Sequence, residues 1–149
     1  MNWAVLKPFL FSYKGRVGRK VYNLYFLLPY TLIYLAFNML DIAVGTYNPA
    51  TGMGWISGVF WVVSLWPVLA VTTRRFHDRE LSGWRQAAYF VVFIIGSVLA
   101  GLGVPTGNVK LIAAGALVTL IAMIVFIVEI CFLKGTTGDN KFGPDPLKS

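Results

Sequence analysis

Charged residues are scarce in this sequence: aspartate, glutamate, lysine and arginine make up 13% of its 149 residues. In a water-soluble domain, about 25% of the residues are charged. The charges cluster, and they leave four runs with at most one charge each, residues 21–40, 53–73, 86–104 and 111–133. A helix needs about 20 apolar residues to cross the hydrocarbon core of a bilayer. The scarcity therefore excludes an ordinary soluble domain and predicts four transmembrane helices.

Cysteine and histidine each occur once. The lone cysteine, Cys131, cannot form an intrachain disulfide, and its place in an apolar run suits a buried, inert thiol. The lone histidine, His77, has no HxxxH or CxxC pattern near it that would support a metal. No nucleophile–base pair is recognisable either. We therefore expect no disulfide, no metal site, no cofactor and no catalytic residue.

Acidic residues are outnumbered by basic ones, six against thirteen, and the net charge is +7. Such an excess can mark a nucleic-acid-binding protein, but these basic residues flank the apolar runs, where membrane topology and anionic lipid headgroups account for them. Twelve of the thirteen lie in residues 1–20, 74–85 and 134–149, and Lys110 is the exception. Because basic loops stay in the cytoplasm, this bias predicts an all-α, polytopic four-helix bundle with both termini cytoplasmic.

Residues 1–149 are predicted to form a single membrane domain. The first 20 residues are basic and aromatic and suit the headgroup region, whereas residues 134–149 form a turn-rich tail. The three segments predicted to be cytoplasmic are too short to build a soluble core. They must lean on the helix ends or on the lipid surface.

Two polar clusters adjoin the predicted helices. Residues 74–85 are typical of a tight loop with arginines facing lipid phosphates, although His77 and Asp78 could instead act as an acid–base pair or as metal ligands. Residues 134–146 match neither a P-loop nor an EF-hand, and they form either an ordered turn motif or a disordered chain end. We predict that both clusters and the N-terminal segment assemble into one interaction surface, made of Arg16, Arg19, Arg74, Arg75, His77, Asp78, Ser82, Gly83, Trp84, Gly138, Asp139, Asn140, Gly143 and Pro146.

Complementary charges predict how these segments hold together. The tail carboxylates Asp139 and Asp145 are expected to pair with arginines of the other two segments, namely Arg16, Arg19, Arg74 or Arg75. Glu129 is the one charge inside the four runs. It needs a cation or must become neutral, because an unpaired charge in lipid is costly. Its expected partners are Arg74 and Arg75, which lie at a similar depth.

Small residues at four-residue spacing predict close helix packing, because small side chains let helix backbones approach each other. The pairs are Gly54 with Gly58, Gly96 with Ala100, and Ser97 with Gly101. They would pack the helices of one chain or form a homo-oligomer interface. If they pack one chain, replacing Gly58 or Gly101 by leucine should destabilise the bundle.

Three motifs carry a resemblance to a known family. They are K-G-R-x-x-R-x-x-Y at residues 14–22, L-A-V-x-x-R-R-x-H-D-x-x-x-S-G-W at residues 69–84, and G-T-x-G-x-N-x-F-G-x-x-P at residues 135–146. In this order and spacing the chain resembles domain-of-unknown-function family 805 (DUF805), the YhaH-like small bacterial inner-membrane proteins. It departs from the family pattern at Phe76, at Phe142 and at residues 79–81. The resemblance implies four helices in a bacterial inner membrane and no established activity, substrate or cofactor.

Three classes of function remain open at this point. The favoured one is a non-enzymatic membrane protein whose cytoplasmic motifs bind anionic lipid or an unidentified partner. The second is a small transporter or channel that uses Glu129 as its intramembrane ionisable group. The third, and least favoured, is a membrane enzyme acting on a lipid-like substrate.

Overall fold

The computed structural model describes residues 3–49 and 51–147, and this part of the chain is helical with connecting turns. Its five helices are α1 (Trp3–Phe11), α2 (Arg19–Ala43), α3 (Trp55–Asp78), α4 (Arg85–Gly103) and α5 (Val109–Phe132). Helices α2 to α5 are each long and apolar enough to cross a membrane. The four spans expected from the charge-poor runs are therefore confirmed as four helices of suitable length and composition.

Helix α3 extends further than the sequence analysis placed it, because it continues past residue 73 to Asp78. The expected end was set where the first charges appear, since charges are costly in lipid. In the structure Arg74, Arg75 and Asp78 are all buried and make contacts with other parts of the protein. Their charged groups thus have partners inside the protein, so these residues can form the last turn of the helix.

Wider, π-type turns replace α-helical turns in two places, at Tyr22–Leu27 in α2 and at Val128–Phe132 in α5. The two segments approach each other, and the amide of Asn23 donates to the carbonyl oxygen of Cys131 at 3.0 Å. A helix ends with carbonyl groups that have no partner within the helix. At the end of α5 these carbonyls accept hydrogen bonds from side chains of α2 and α3.

The helices pack as two antiparallel pairs, α2 with α3 and α4 with α5. Helices α4 and α5 lie closest at Gly96 and Gly115, because a Cβ atom added at Gly115 would overlap the backbone of Gly96 and of Ala100. The two helix pairs meet around Phe76 of α3. Its ring is fully buried and nearly parallel to the ring of Tyr89 in α4, with centroids 6.5 Å apart. This junction lies at the same end as the π-type turns of α5.

The prediction that Gly58 and Gly101 make close helix contacts within the chain is wrong. A Cβ atom at Gly101 would meet nothing within 4 Å, and one at Gly58 would only reach the Met53 sulfur at 4.0 Å. The predicted pair Gly96 with Ala100 does pack closely, against Gly115 of α5. Gly54, which was paired with Gly58 in the sequence analysis, packs against the side chain of Asp41. A Cβ atom added at Gly54 would overlap that carboxylate.

Asp41 fastens the connection between α2 and α3. It lies in the last turn of α2, is fully buried and accepts hydrogen bonds from the backbone N–H groups of Ile56 and Ser57 at 3.0 and 2.8 Å. The hydroxyl of Thr46 donates to the same carboxylate at 2.6 Å. A carboxylate in this position caps the N-terminus of α3 and complements its dipole. We call this part of the molecule the Asp41 end.

Candidate functional site: a polar cluster joining four segments

The opposite end of the helices holds a buried polar cluster, which we call the polar end. It comprises residues 15–19 before and at the start of α2, the last turn of α3, the end of α5, and the tail at residues 134–147. Its centre is the carboxylate of Asp78, which is 3% exposed. Arg75 binds one oxygen at 2.6 Å, and Arg16 binds the other at 3.1 Å. Ion pairs shared in this way hold both arginine side chains in fixed orientations.

Arg16 is the residue that brings the three sequence motifs together. Besides Asp78, its guanidinium donates to the carbonyl oxygen of Gly138 at 2.6 Å and to that of Thr136 at 2.7 Å. Its side chain is 1% exposed. The flat, forked shape of a guanidinium can serve several acceptors at once, which a lysine ammonium would do less well. A single side chain thus joins the N-terminal segment, α3 and the tail.

The end of α5 is capped by side chains from other helices. Arg75 is fully buried, donates to the carbonyl oxygen of Ile130 at 2.7 Å and also donates to that of Leu133. Arg19 donates to the carbonyl oxygen of Phe132 at 2.7 Å. Positive charge is favourable at this place because the C-terminal end of a helix carries partial negative charge. The cap therefore ties α2 and α3 to the end of α5.

The tail folds over the end of α3 in a series of ordered turns. The N–H of Thr136 donates to the carbonyl oxygen of Asp78 at 2.8 Å, and the amide of Asn140 donates to that of His77 at 3.0 Å. The ring of His77 stacks on Phe142, with centroids 3.8 Å apart. Gly138 has a φ of +78°, a conformation that glycine adopts without strain.

Close packing also fixes the point where the tail leaves α5. A Cβ atom added at Gly135 would overlap the carboxylate of Asp78. Pro146 lies near Gly18, with its Cγ 3.7 Å from the position of a Cβ there. The tail therefore lies between α3 and the start of α2.

The expected pairing between tail carboxylates and arginines is not what organises the cluster. Asp145 accepts from the N–H groups of Gly138 and Leu147 at 2.8 and 3.0 Å. Asp139 accepts from the N–H of Asp145 at 3.0 Å, and within residues 3–49 and 51–147 it forms no ion pair. The tail carboxylates shape the turns of the tail, whereas Asp78 holds Arg16 and Arg75. Arg75 lies one turn before Asp78 in α3, and Arg16 reaches Asp78 from the N-terminal segment.

Glu129 is buried and paired, but the partners expected for it are wrong. Arg79 lies 2.6 Å from one carboxylate oxygen and Arg85 lies 2.9 Å from the other, to which the Tyr89 hydroxyl also donates at 2.6 Å. Arg75 is directed to Asp78 and to α5 carbonyls instead. Arg79 follows Arg75 by four residues and so lies one turn further along the chain on the same side, where it reaches Glu129.

The remaining expected residues have separate roles. Arg74 donates to the carbonyl oxygen of Phe9 and lies over its ring, so it fastens α1. Gly83 packs on Thr73, where a Cβ atom would overlap that side chain. Trp84 is 83% exposed. Together with Ser82, these turn residues line a cavity of about 550 Å³ beside α3 and α4, apart from the Arg16–Asp78 centre.

The sequence analysis did not single out Asn23, Asp41 or the Glu129 partners Arg79, Arg85 and Tyr89. Asn23 and Asp41 carry a recognisable signal, since each is a polar side chain in or beside an apolar run. Thr136 belongs to the motif at residues 135–146, but the sequence does not give its contacts. They join it to Asp78, 58 positions away, and to Arg16, 120 positions away.

The chain is similar over most of its length to known proteins. A family model described as protein of unknown function (DUF805) matches residues 10–144. In Escherichia coli strain K12, uncharacterized protein YiiR is 30% identical over 145 residues, which cover 94% of this chain and 89% of its own. Inner membrane protein YhaH of the same strain is 28% identical over 148 residues, covering 98% and 97%. No solved structure matches the chain.

Proposed function

The chain belongs to the DUF805 family of proteins of unknown function, and from that premise we propose that it is a non-enzymatic protein of the bacterial inner membrane. Its polar end is a pre-assembled cytoplasmic surface that binds lipid headgroups or a protein partner. The observation that carries this proposal is the set of contacts made by Arg16, which reach α3 and the tail at the same time. A surface that such contacts already hold in place loses less entropy on binding than a surface that must first be ordered.

The proposed location and orientation rest on two supports. Inner membrane protein YhaH, named for its location, aligns with 98% of this chain. Twelve of the thirteen lysines and arginines occur in residues 1–20, 74–85 and 134–149. Positive charge is retained on the cytoplasmic side of the bacterial inner membrane. The polar end, with both termini, is thus assigned to the cytoplasm.

The geometry around Glu129 favours a structural role over proton or ion transport. Both of its oxygens have partners, from Arg79, Arg85 and Tyr89. A carboxylate that carries protons must alternate between states, and two arginines strongly favour its charged form. The contacts join α3, α4 and α5 at one point. We therefore assign Glu129 to the stability of the bundle.

The proposal is tested by comparing what the wild-type protein and an Arg16→Gln variant retain when purified from gently solubilised membranes. We expect the wild type to retain a reproducible set of lipids or proteins, and the variant to lose it, because glutamine cannot hold α3 and the tail together. Lys14→Gln is the matched control, since Lys14 is exposed and belongs to the same segment. Identical sets from the wild type and Arg16→Gln would contradict the proposal, as would a proton-coupled flux that depends on Glu129.

A further inference from the structure

A cavity of about 330 Å³ lies at the polar end, between the start of α2, the end of α5 and the tail. Three basic residues line it, Arg19 and Lys20 in the first turn of α2 and Lys134 directly after α5. The lining also includes the carboxylate residues Asp78 and Asp145. Whether the cavity attracts an anion depends on which of these charges are already engaged.

Both carboxylates have partners inside the protein. Asp78 is shared by Arg16 and Arg75, and Asp145 accepts from backbone N–H groups of the tail. The basic side chains differ: in the described ranges, Lys20 and Lys134 take part in none of the four ion pairs. The cavity therefore has positive charge in excess, because three basic residues line it against two carboxylates, one of which is already shared by two arginines.

Arg19 and the backbone strengthen this preference. One terminal nitrogen of Arg19 donates to the carbonyl oxygen of Phe132 at 2.7 Å, which holds the guanidinium at the edge of the cavity. A guanidinium has further N–H groups besides this one, and its fork matches the oxygens of a phosphate. Gly18, which precedes the first turn of α2, also lines the cavity, so the positive end of the helix dipole points the same way.

We infer that this cavity binds the phosphate group of an anionic phospholipid. Arg19 and Lys20 begin one membrane-spanning helix and Lys134 follows another, so all three lie at the depth of lipid headgroups. Basic pockets between transmembrane helices bind acidic headgroups in this way. The inference rests on the proposed function, because it names one ligand of the same surface, but it depends on residues that do not hold the three motifs together.

The test is native mass spectrometry of the full-length protein titrated with phosphatidylglycerol or phosphatidylcholine. We expect the wild type to bind phosphatidylglycerol at least tenfold more tightly. The variant Lys20→Gln/Lys134→Gln should lose most of that preference, since it neutralises two of the three basic residues that line the cavity. Both lysines are exposed, so the variant should keep its fold.

The control variant Lys14→Gln/Lys110→Gln removes the same charge, with one lysine before α2 and the other at the start of α5. It should retain the lipid preference. An unchanged preference in Lys20→Gln/Lys134→Gln, or equal loss in both variants, would overturn the inference. Displacement of the lipid by millimolar inorganic phosphate would also overturn it, because the site would then take a soluble anion. Hydrogen exchange of the tail reports separately on the proposed function, and it should not change in either variant.

Discussion

Carboxylates fasten the two ends of this molecule, but they do so by different means. At the Asp41 end, one fully buried carboxylate accepts from two backbone N–H groups and one hydroxyl, and no ion pair involves it in the described parts of the chain. At the polar end, Asp78 and Glu129 are each held by two arginines. The first arrangement caps a helix, and the second joins segments from across the whole sequence.

The difference lies in how much of the chain each carboxylate connects. Asp41 connects α2 to α3, which are neighbours along the chain, and any residue able to cap a helix could replace it at moderate cost. Asp78 connects residues 62 positions apart, and its arginines reach the tail and the end of α5 as well. An arrangement this specific exceeds what holding two helices together requires. Substitutions at the two ends should therefore have effects of different size and different extent.

The largest effect is expected from Asp78→Asn. It removes the charge that Arg16 and Arg75 share and leaves two buried guanidinium groups without a counter-charge, which costs about 3–5 kcal/mol for a buried pair. We expect the free energy of unfolding in lipid–detergent micelles to fall by that amount and the tail to become sensitive to protease. The control is Glu80→Gln, which removes one negative charge from an exposed side chain. It should change the free energy of unfolding by less than about 0.5 kcal/mol. Equal stability of the two variants would refute the role given to Asp78.

The next effect is expected from Asp41→Ala. It leaves the N–H groups of Ile56 and Ser57 without their acceptor, and the loss of a helix N-cap costs about 1–2 kcal/mol. Unfolding should become easier, while protease protection of the tail stays at the wild-type level because the two ends are independent. If Asp41→Ala exposed the tail, the two ends would be coupled and our comparison would fail.

A smaller effect is expected from Glu129→Gln. Its partners Arg79 and Arg85 are 17% and 47% exposed, so water or lipid headgroups can compensate for much of the lost charge. Tyr89 can still donate to the remaining carbonyl oxygen. Stability should fall by about 1 kcal/mol, and ion flux through proteoliposomes should match that of the wild type. A flux that disappears at unchanged stability would instead support the transporter alternative.

The smallest effect is expected from Gly101→Ala, since nothing lies within 4 Å of the added methyl group. Thermal unfolding should be unchanged or slightly improved, because alanine favours helix over glycine by about 1 kcal/mol. Gly115→Ala is the matched comparison on α5, where the methyl group would overlap the backbone of α4. If Gly101→Ala were the more harmful of the two, Gly101 would belong to an interface with another molecule.

The fold was largely predictable from the sequence, because lipid imposes a simple rule. A span of about 20 uncharged residues has no stable alternative to crossing as a helix, so the four charge-poor runs predicted α2 to α5. The rule ended two helices too early. Arg74, Arg75 and Asp78 are buried in the last turn of α3, and the buried Asp41 lies in the last turn of α2, which continues to Ala43. Burial within the protein depends on neighbours that are distant in sequence.

The sequence predicted which segments meet at the polar end, but it did not predict the contacts between their side chains. Chain order places residues 15–19, the end of α3 and the tail at one end of a bundle, and those segments do meet at Arg16 and Asp78. The partner of Glu129 was misplaced by one helical turn, because the sequence does not give the rotation of each helix about its axis. The wider turns at Val128–Phe132 change that rotation further.

The central claim is that Arg16 holds the three motifs in one pre-assembled unit. The most direct measurement is hydrogen–deuterium exchange of residues 134–147 in nanodiscs, for the wild type, Arg16→Gln and Lys14→Gln. We predict slow exchange in the wild type and in Lys14→Gln, because the Thr136, Gly138 and Asn140 N–H groups all have acceptors. Arg16→Gln should exchange at least tenfold faster. Rapid exchange of the wild-type tail, or identical exchange in the wild type and Arg16→Gln, would contradict the account.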